Sequence, residues 1–142
     1  MTKLFVDTSG WASFFNRKEP THSQAARILT AAYRDRYSVF TSNYVLAELV
    51  SLLHSPLRIS RSKTFTVVDT IKATPYVDIV HIDPATDTDA WNFCKSRPDK
   101  SWSLVDCSSF VIMQQHNIQQ ALTTDHHFEQ AGFIRLLNSS NP

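Results

Sequence analysis

Apolar and polar positions follow two rhythms along this chain. Short apolar or β-branched runs at Leu4–Asp7, Ser38–Thr41, Val77–Ile82, Ala121–Thr123 and Phe133–Leu136 read as strands. Longer stretches with apolar residues three and four apart predict helices over about Gly10–Asn16, His22–Tyr33, Asn43–His54, Ser60–Ala73, Pro84–Ser96 and Leu104–His116. Such alternation predicts an α/β fold with a mostly parallel central sheet of four to five strands flanked by helices. Local chemistry supports the limits. Asp83 before Pro84 is an N-cap followed by proline at the first helical position. Thr41-Ser42-Asn43 offers caps to the helix that follows. Ser103-Leu104-Val105-Asp106 fits a capping box, with Asp where Glu or Gln is usual. Pro56 and Pro98 fall in breaks between helices, and Pro75 separates a helix from the Val77 strand.

Composition narrows the class. A chain of 142 residues with 42% hydrophobic and 19% charged residues is expected to be one domain over 1–142, burying about two thirds of its extended surface. The net charge of +1 excludes a broadly basic nucleic-acid binder, so any polyanion-binding surface has to be local. No run approaches the ~20 apolar residues needed to span a bilayer, and no membrane partner is expected. The first strand starts almost at Met1, so no targeting segment is expected, and Cys94 and Cys107 read as reduced thiols of a cytoplasmic protein. Gly10 and Gly132 are the two glycines, which excludes a glycine-rich phosphate loop.

Against this ordinary background, four carboxylates stand where a core would prefer none. Asp7 closes the run Leu4-Phe5-Val6, and Asp125 follows Ala121-Leu122-Thr123-Thr124. In parallel sheets, ligands bind beyond the carboxyl ends of strands, where both of these residues lie. Each also has a local explanation, Asp7 as a helix cap and Asp125 as a turn residue. Asp106 doubles as the third residue of the capping box, where a carboxylate favours the helix N-terminus by about 0.3–1 kcal/mol. Glu48 lies two turns into its helix, too deep to cap, with no Lys or Arg three or four residues away. Unpaired buried carboxylates are costly unless they ligate a cation, so the set points to a shared metal site. Oxygen ligands select hard ions, Mg²⁺ with Mn²⁺ as the other candidate, whereas zinc would ask for His or Cys. The histidines form no zinc motif. His126 and His127 adjoin Asp125 but, being adjacent, are expected to point apart and to lie at the surface or on the substrate side. Grouped carboxylates with a divalent ion serve phosphoryl and phosphodiester chemistry.

The segments Phe5-Val6-Asp7-Thr8-Ser9, Ala47-Glu48-Leu49, Trp102-Ser103-Leu104-Val105-Asp106-Cys107 and Leu122-Thr123-Thr124-Asp125-His126-His127-Phe128 resemble, in order and spacing, the PIN-domain ribonucleases, specifically stand-alone toxins of the VapC type. The resemblance covers nearly the whole chain. It implies a single PIN-like domain and an Mg²⁺- or Mn²⁺-dependent endoribonuclease acting on RNA as a homodimer. It also implies a cognate antitoxin that silences the toxin by inserting a peptide, often with an arginine, into the acidic groove. By this resemblance Asp7 and Asp106 are the central metal ligands and Glu48 and Asp125 complete the catalytic pocket. Ser9 and Thr124 match hydroxyl positions that orient ligands. Arg58, Arg61 and Lys63, directly after the Glu48 helix, form a basic cluster suited to RNA phosphates, although solvated helix ends explain each one singly. In the resembled family the helix pair around Pro56 forms part of the antitoxin groove, to which Leu52, Leu53, Leu57 and Ile59 would supply apolar contacts.

Two other readings of Val6-Asp7-Thr8-Ser9-Gly10 fail. A dimeric aspartic protease is nearly all β, which the helical periodicity excludes, and a phosphoaspartate phosphatase would want Asp where Ser9 stands. The alternative from another class is a catalytically inactive PIN-like module that binds RNA or protein.

Overall fold

Leu4, Phe5 and Val6 are all buried, so the strand they form has no solvent face and belongs inside a sheet covered on both sides. In the computed structural model, which describes residues 2–138, that strand is β1 (Lys3–Val6). With β2 (Ser38–Ser42), β3 (Val77–Val80), β4 (Gln120–Leu122) and β5 (Ile134–Arg135) it forms a five-stranded sheet of order β3-β2-β1-β4-β5. Every pairing is parallel. The chain steps outward from β1 through β2 to β3, then returns to β1's other side for β4 and β5. The order therefore reverses between β1 and β4, and a crevice opens beyond their carboxyl ends.

The helices are α1 (Thr8–Phe15), α2 (His22–Arg34), α3 (Asn43–His54), α4 (Arg61–Ala73), α5 (Pro84–Ser96), α6 (Leu104–Gln115) and α7 (His127–Gln130). The capping chemistry foreseen for α5 and α6 is present: Asp83 accepts the Thr86 N–H at 2.7 Å, and the Ser103/Asp106 box is closed from both sides. Ser42 is the residue of its trio that caps α3. The strand read as Val77–Ile82 ends at Val80, because the Ile82 N–H turns aside to the Asn43 side chain at 2.9 Å. Helix α1 starts at Thr8 rather than Gly10, since Asp7 accepts the Gly10 N–H and closes the first turn. The segment after Asp125, read as a turn, holds the short α7.

Two packing devices set the crevice. The Trp11 indole N–H donates to the Thr41 hydroxyl at 3.0 Å, and that hydroxyl donates to the Val6 carbonyl at 3.0 Å, tying α1 and β2 to the end of β1. On the other side the Phe110 ring of α6 meets Trp102, Phe128 and Phe133 with centroids 5.2, 5.0 and 5.7 Å apart. Phe128 is thus the buried anchor of α7, and it fixes the loop from β4 against α6.

Gly10 lets α1 lie against β4: a Cβ built there would sit 2.0 Å from the Leu122 carbonyl oxygen and 2.9 Å from Val6 Cγ1. The obstacle is backbone, which has little freedom to yield. Gly10→Ala is therefore expected to cost at least about 2 kcal/mol, read as a lower urea midpoint at unchanged slope; a neutral or stabilising result would contradict this packing.

Candidate active site

The crevice is built around Asp7, the residue immediately after β1. Its side chain is buried, and each carboxylate oxygen is held: Oδ1 accepts from the Gly10 N–H and the Ser9 hydroxyl, both at 2.8 Å, and Oδ2 accepts from the Thr123 hydroxyl at 2.6 Å. Thr123 follows β4, so this last bond joins the two sides of the sheet reversal. Thr123 Oγ1 also accepts the Asp125 N–H at 2.9 Å. One hydroxyl thereby positions two of the four carboxylates. The sequence reading chose Thr124 for this place, and the structure corrects it. Thr124 is exposed and contributes its backbone N–H, which donates to Ser9 Oγ at 3.0 Å. Side chains alternate in direction after a strand, so neighbouring threonines take opposite roles. The Ser9 hydroxyl touches both Asp7 and this backbone.

Asp106 enters from the first turn of α6. Its Oδ2 accepts the Ser103 N–H at 3.0 Å while its own N–H donates to Ser103 Oγ at 3.0 Å, so the cap that starts the helix also aims the carboxylate. Between Asp106 and Asp125 stands His127, with Nδ1 3.4 Å from Asp106 Oδ2 and 3.1 Å from Asp125 Oδ1. That Nδ1 is buried and lacks a well-directed hydrogen bond, while Nε2 lies 3.3 Å from Ser101 Oγ. Asp125 Oδ1 also accepts the His127 N–H at 2.9 Å. The expectation that the two histidines point apart at the surface is corrected here. Their rings lie 4.5 Å apart, and both approach Asp125; the His126 ring remains largely in solvent, whereas His127 is wedged into the acid cluster. The signal in the sequence was Phe128: a buried aromatic one residue on winds α7 and turns His127 inward.

Glu48, on α3, is half-buried. The Thr8 hydroxyl donates to its Oε1 at 2.5 Å, which places it beside the start of α1 and one residue from Asp7. No ion pair to Glu48 occurs among the described residues. Farther along α3, about five residues or 7–8 Å of helix rise beyond Glu48, a groove of ≈ 740 Å³ opens. Arg17, Lys18, Arg58 and Lys63 line it together with Phe15, Leu53, Leu57 and Ile59. Arg61, grouped with Arg58 and Lys63 in the sequence reading, instead lies over the Phe65 ring, 5.0 Å from its centroid. Leu52 is likewise outside the groove lining.

Burial pushes the Asp7 carboxyl up to about 7, with nearby Asp125 adding to the rise, although its three hydrogen bonds oppose it. Burial also raises Asp106, and Asp125 adds repulsion; the Ser103 N–H and His127 pull the other way. Carboxylates pushed toward neutrality in one crevice, beside an imidazole nitrogen with no hydrogen-bond partner, form a donor set that a divalent cation would satisfy. Among the described residues, ligand atoms of Asp125, His126 and His127 all lie within 4.8 Å of one another. This group offers ligand atoms to a divalent metal ion.

Carboxylates gathered where a parallel sheet reverses its strand order define a candidate divalent-metal site on an α/β fold, an arrangement suited to phosphodiester hydrolysis. Residues 4–134 match the family described as PIN domain, and the chain belongs to that family, whose members are nucleases that generally use divalent metal. The 23S rRNA-specific endonuclease VapC20 of Mycobacterium tuberculosis is 30% identical over 133 residues, covering 94% of this chain and 97% of that protein. The crystal structure of Mycobacterium tuberculosis VapC20, described as a sarcin-ricin loop cleaving toxin, has a TM-score of 0.82 at 29% identity, covering 95% of this chain and 99% of that one. VapBC2 from Rickettsia felis, bound to a DNA fragment from its promoter, shares the fold at 11% identity and a TM-score of 0.68, over 96% of this chain and 100% of that one. FitAcB from Neisseria gonorrhoeae shares it at 16% identity and a TM-score of 0.65, over 98% and 99%.

Free of metal, Asp7 titrates near 7 instead of 3.8. Its contribution to stability is whole below about pH 4 and is lost as pH rises through 7, on the order of 4 kcal/mol across that span. Asn keeps the cap without the charge. In EDTA, Asp7→Asn is therefore expected to raise the melting temperature at pH 7.5 and to change it little at pH 4; a variant less stable than wild type at pH 7.5 would contradict the assignment.

Proposed function

We propose that this chain is a metal-dependent endoribonuclease that cuts ribosomal RNA and is the toxin of a toxin–antitoxin pair. What supports the reading is the mutual repulsion of Asp7 with Asp125 and of Asp125 with Asp106 beside the reversal between β1 and β4, with Glu48 held by Thr8 next to Asp7. Close sequence likeness to a 23S rRNA-specific endonuclease over almost the whole chain supports the substrate class.

In this reading Asp7 and Asp106 are the central ligands of Mg²⁺, with Mn²⁺ able to replace it, and Asp125 and Glu48 complete the pocket. The bound ion supplies charge neutralisation at the phosphate and a water acidic enough to attack in line. The chain supplies the geometry. Ser9, Thr123 and the Gly10 N–H hold both oxygens of the Asp7 carboxylate, which fixes its orientation before a ligand binds. The Ser103 cap does the same for Asp106. Thr8 steers Glu48 toward the pocket and away from solvent. Arg58 and Lys63, in the neighbouring groove, meet backbone phosphates and give affinity without reading bases. A cognate antitoxin occupies the same groove and acidic pocket, and the active form is a homodimer; fold neighbours crystallised as VapBC and FitAB assemblies support that pairing.

The test is cleavage of 23S rRNA, in ribosomes and as naked RNA, mapped by primer extension with Mg²⁺ or Mn²⁺. Asp7→Asn and Asp106→Asn should each lower the rate by ~10²-fold or more, and EDTA should abolish it. Cleavage that persists in EDTA, or in both variants, refutes the metal site; cleavage of tRNA or mRNA with rRNA untouched refutes the substrate class alone.

A further inference from the structure

Helix α5 packs against the start of α6, and at that contact Cys94 and Cys107 face each other with Sγ atoms 2.7 Å apart. A disulfide bond is about 2.05 Å long, whereas two unbonded sulfurs repel well before 2.7 Å, so the pair lies closer to bonding distance than to ordinary contact. Both cysteines are free thiols in this structure. They differ in access: Cys94 is half-buried and its thiol also donates to the Ser103 carbonyl at 3.6 Å, while Cys107 is wholly buried. Cys107 directly follows Asp106 and feels its charge, but nothing in the proposed RNA chemistry uses either thiol.

We propose that Cys94 and Cys107 are a reversible disulfide site, oxidised by hydroperoxides through Cys94 and closed by Cys107. The Cys94 sulfur takes the terminal OH of the hydroperoxide, the O–O bond breaks, and the alcohol or water leaves with the thiol proton, giving Cys94 sulfenic acid. The Cys107 sulfur attacks that sulfur, the S–O bond breaks, and the OH departs with the Cys107 proton as water. Two thiols have lost two electrons to one peroxide, and a dithiol reductant returns them by exchange. The buried partner cannot be reached by a second small thiol, which favours closure over mixed disulfides. The sulfurs need to approach by only a fraction of an ångström, so the bond forms without moving either helix. It staples α5 to the first turn of α6, beside the Ser103 cap, and crosslinks residues 13 apart in sequence. A reducing cytoplasm keeps the pair open, and oxidative stress closes it.

The full chain, reduced and then treated with hydrogen peroxide, should lose about 2 Da, give no label with N-ethylmaleimide after denaturation, and recover two labels with dithiothreitol. Its melting temperature should rise by roughly 5–10 °C on oxidation and fall back on reduction. Cys94→Ser, at the half-buried position, should keep the fold and show neither the mass loss nor the thermal shift; Cys107→Ser should show the same where it folds. Two labels remaining after peroxide, oxygen added to Cys94 without crosslinking, or disulfides formed only between chains would each overturn the proposal.

Discussion

The burial of Asp7 is the constraint around which the molecule is arranged. A carboxylate at the end of a fully buried strand is tolerable only if the surroundings satisfy it, and they do so from three directions. Gly10 brings the first turn of α1 close enough for its N–H to reach one oxygen, Ser9 adds a hydroxyl, and Thr123 crosses from β4 to take the other oxygen. Each requirement has a structural cost. The helix has to start at once, which leaves no room for a Cβ at position 10, and β4 has to end opposite Val6. The sheet order, the glycine and the two hydroxyls are consequences of one charge kept where packing alone would put a leucine.

The same logic explains why the candidate site is spread over four elements. Carboxylates adjacent in sequence would diverge, whereas one from each of β1, α3, α6 and the β4 loop approach from different sides. Two of them double as caps, Asp7 for α1 and Asp106 for α6. Their backbone partners hold them in place before any ligand arrives, so little reorganisation remains for binding. His127 differs in kind. It is held by packing, through Phe128, and it brings a buried nitrogen between Asp106 and Asp125.

The elements that were plain in the sequence were those whose cause is local. Asp83-Pro84 and Ser103-x-x-Asp106 announce helix starts by their own chemistry, and the limits of α3 and α5 match the reading. Glu48 stood out because its helix offered no partner. What was hidden depends on distant residues. The choice of Thr123 over Thr124 turns on the last residue of β4 paired with β1, a register fixed across more than a hundred residues. The inward turn of His127 depends on Phe110 and Phe5 receiving Phe128. Arg61 left the basic cluster because an aromatic ring one turn along α4 offered its guanidinium a nearer face. The meeting of Cys94 with Cys107 followed from helix packing and from no motif.

The bond from Thr123 to Asp7 spans 116 residues, and it ties the segment after the fourth strand to the end of the first. During synthesis Asp7, Glu48 and Asp106 emerge well before β4, and until β4 arrives one edge of β1 stands open with Leu4, Phe5 and Val6 behind it. Long-range parallel pairing is slow to form, so this half-sheet is the species most exposed to wrong pairing. When β4 slots in, it closes the edge and delivers Thr123 and Asp125 in the same movement. A chain that stops before β4 lacks both Thr123 and Asp125, so the acid cluster is complete only once β4 has paired with β1.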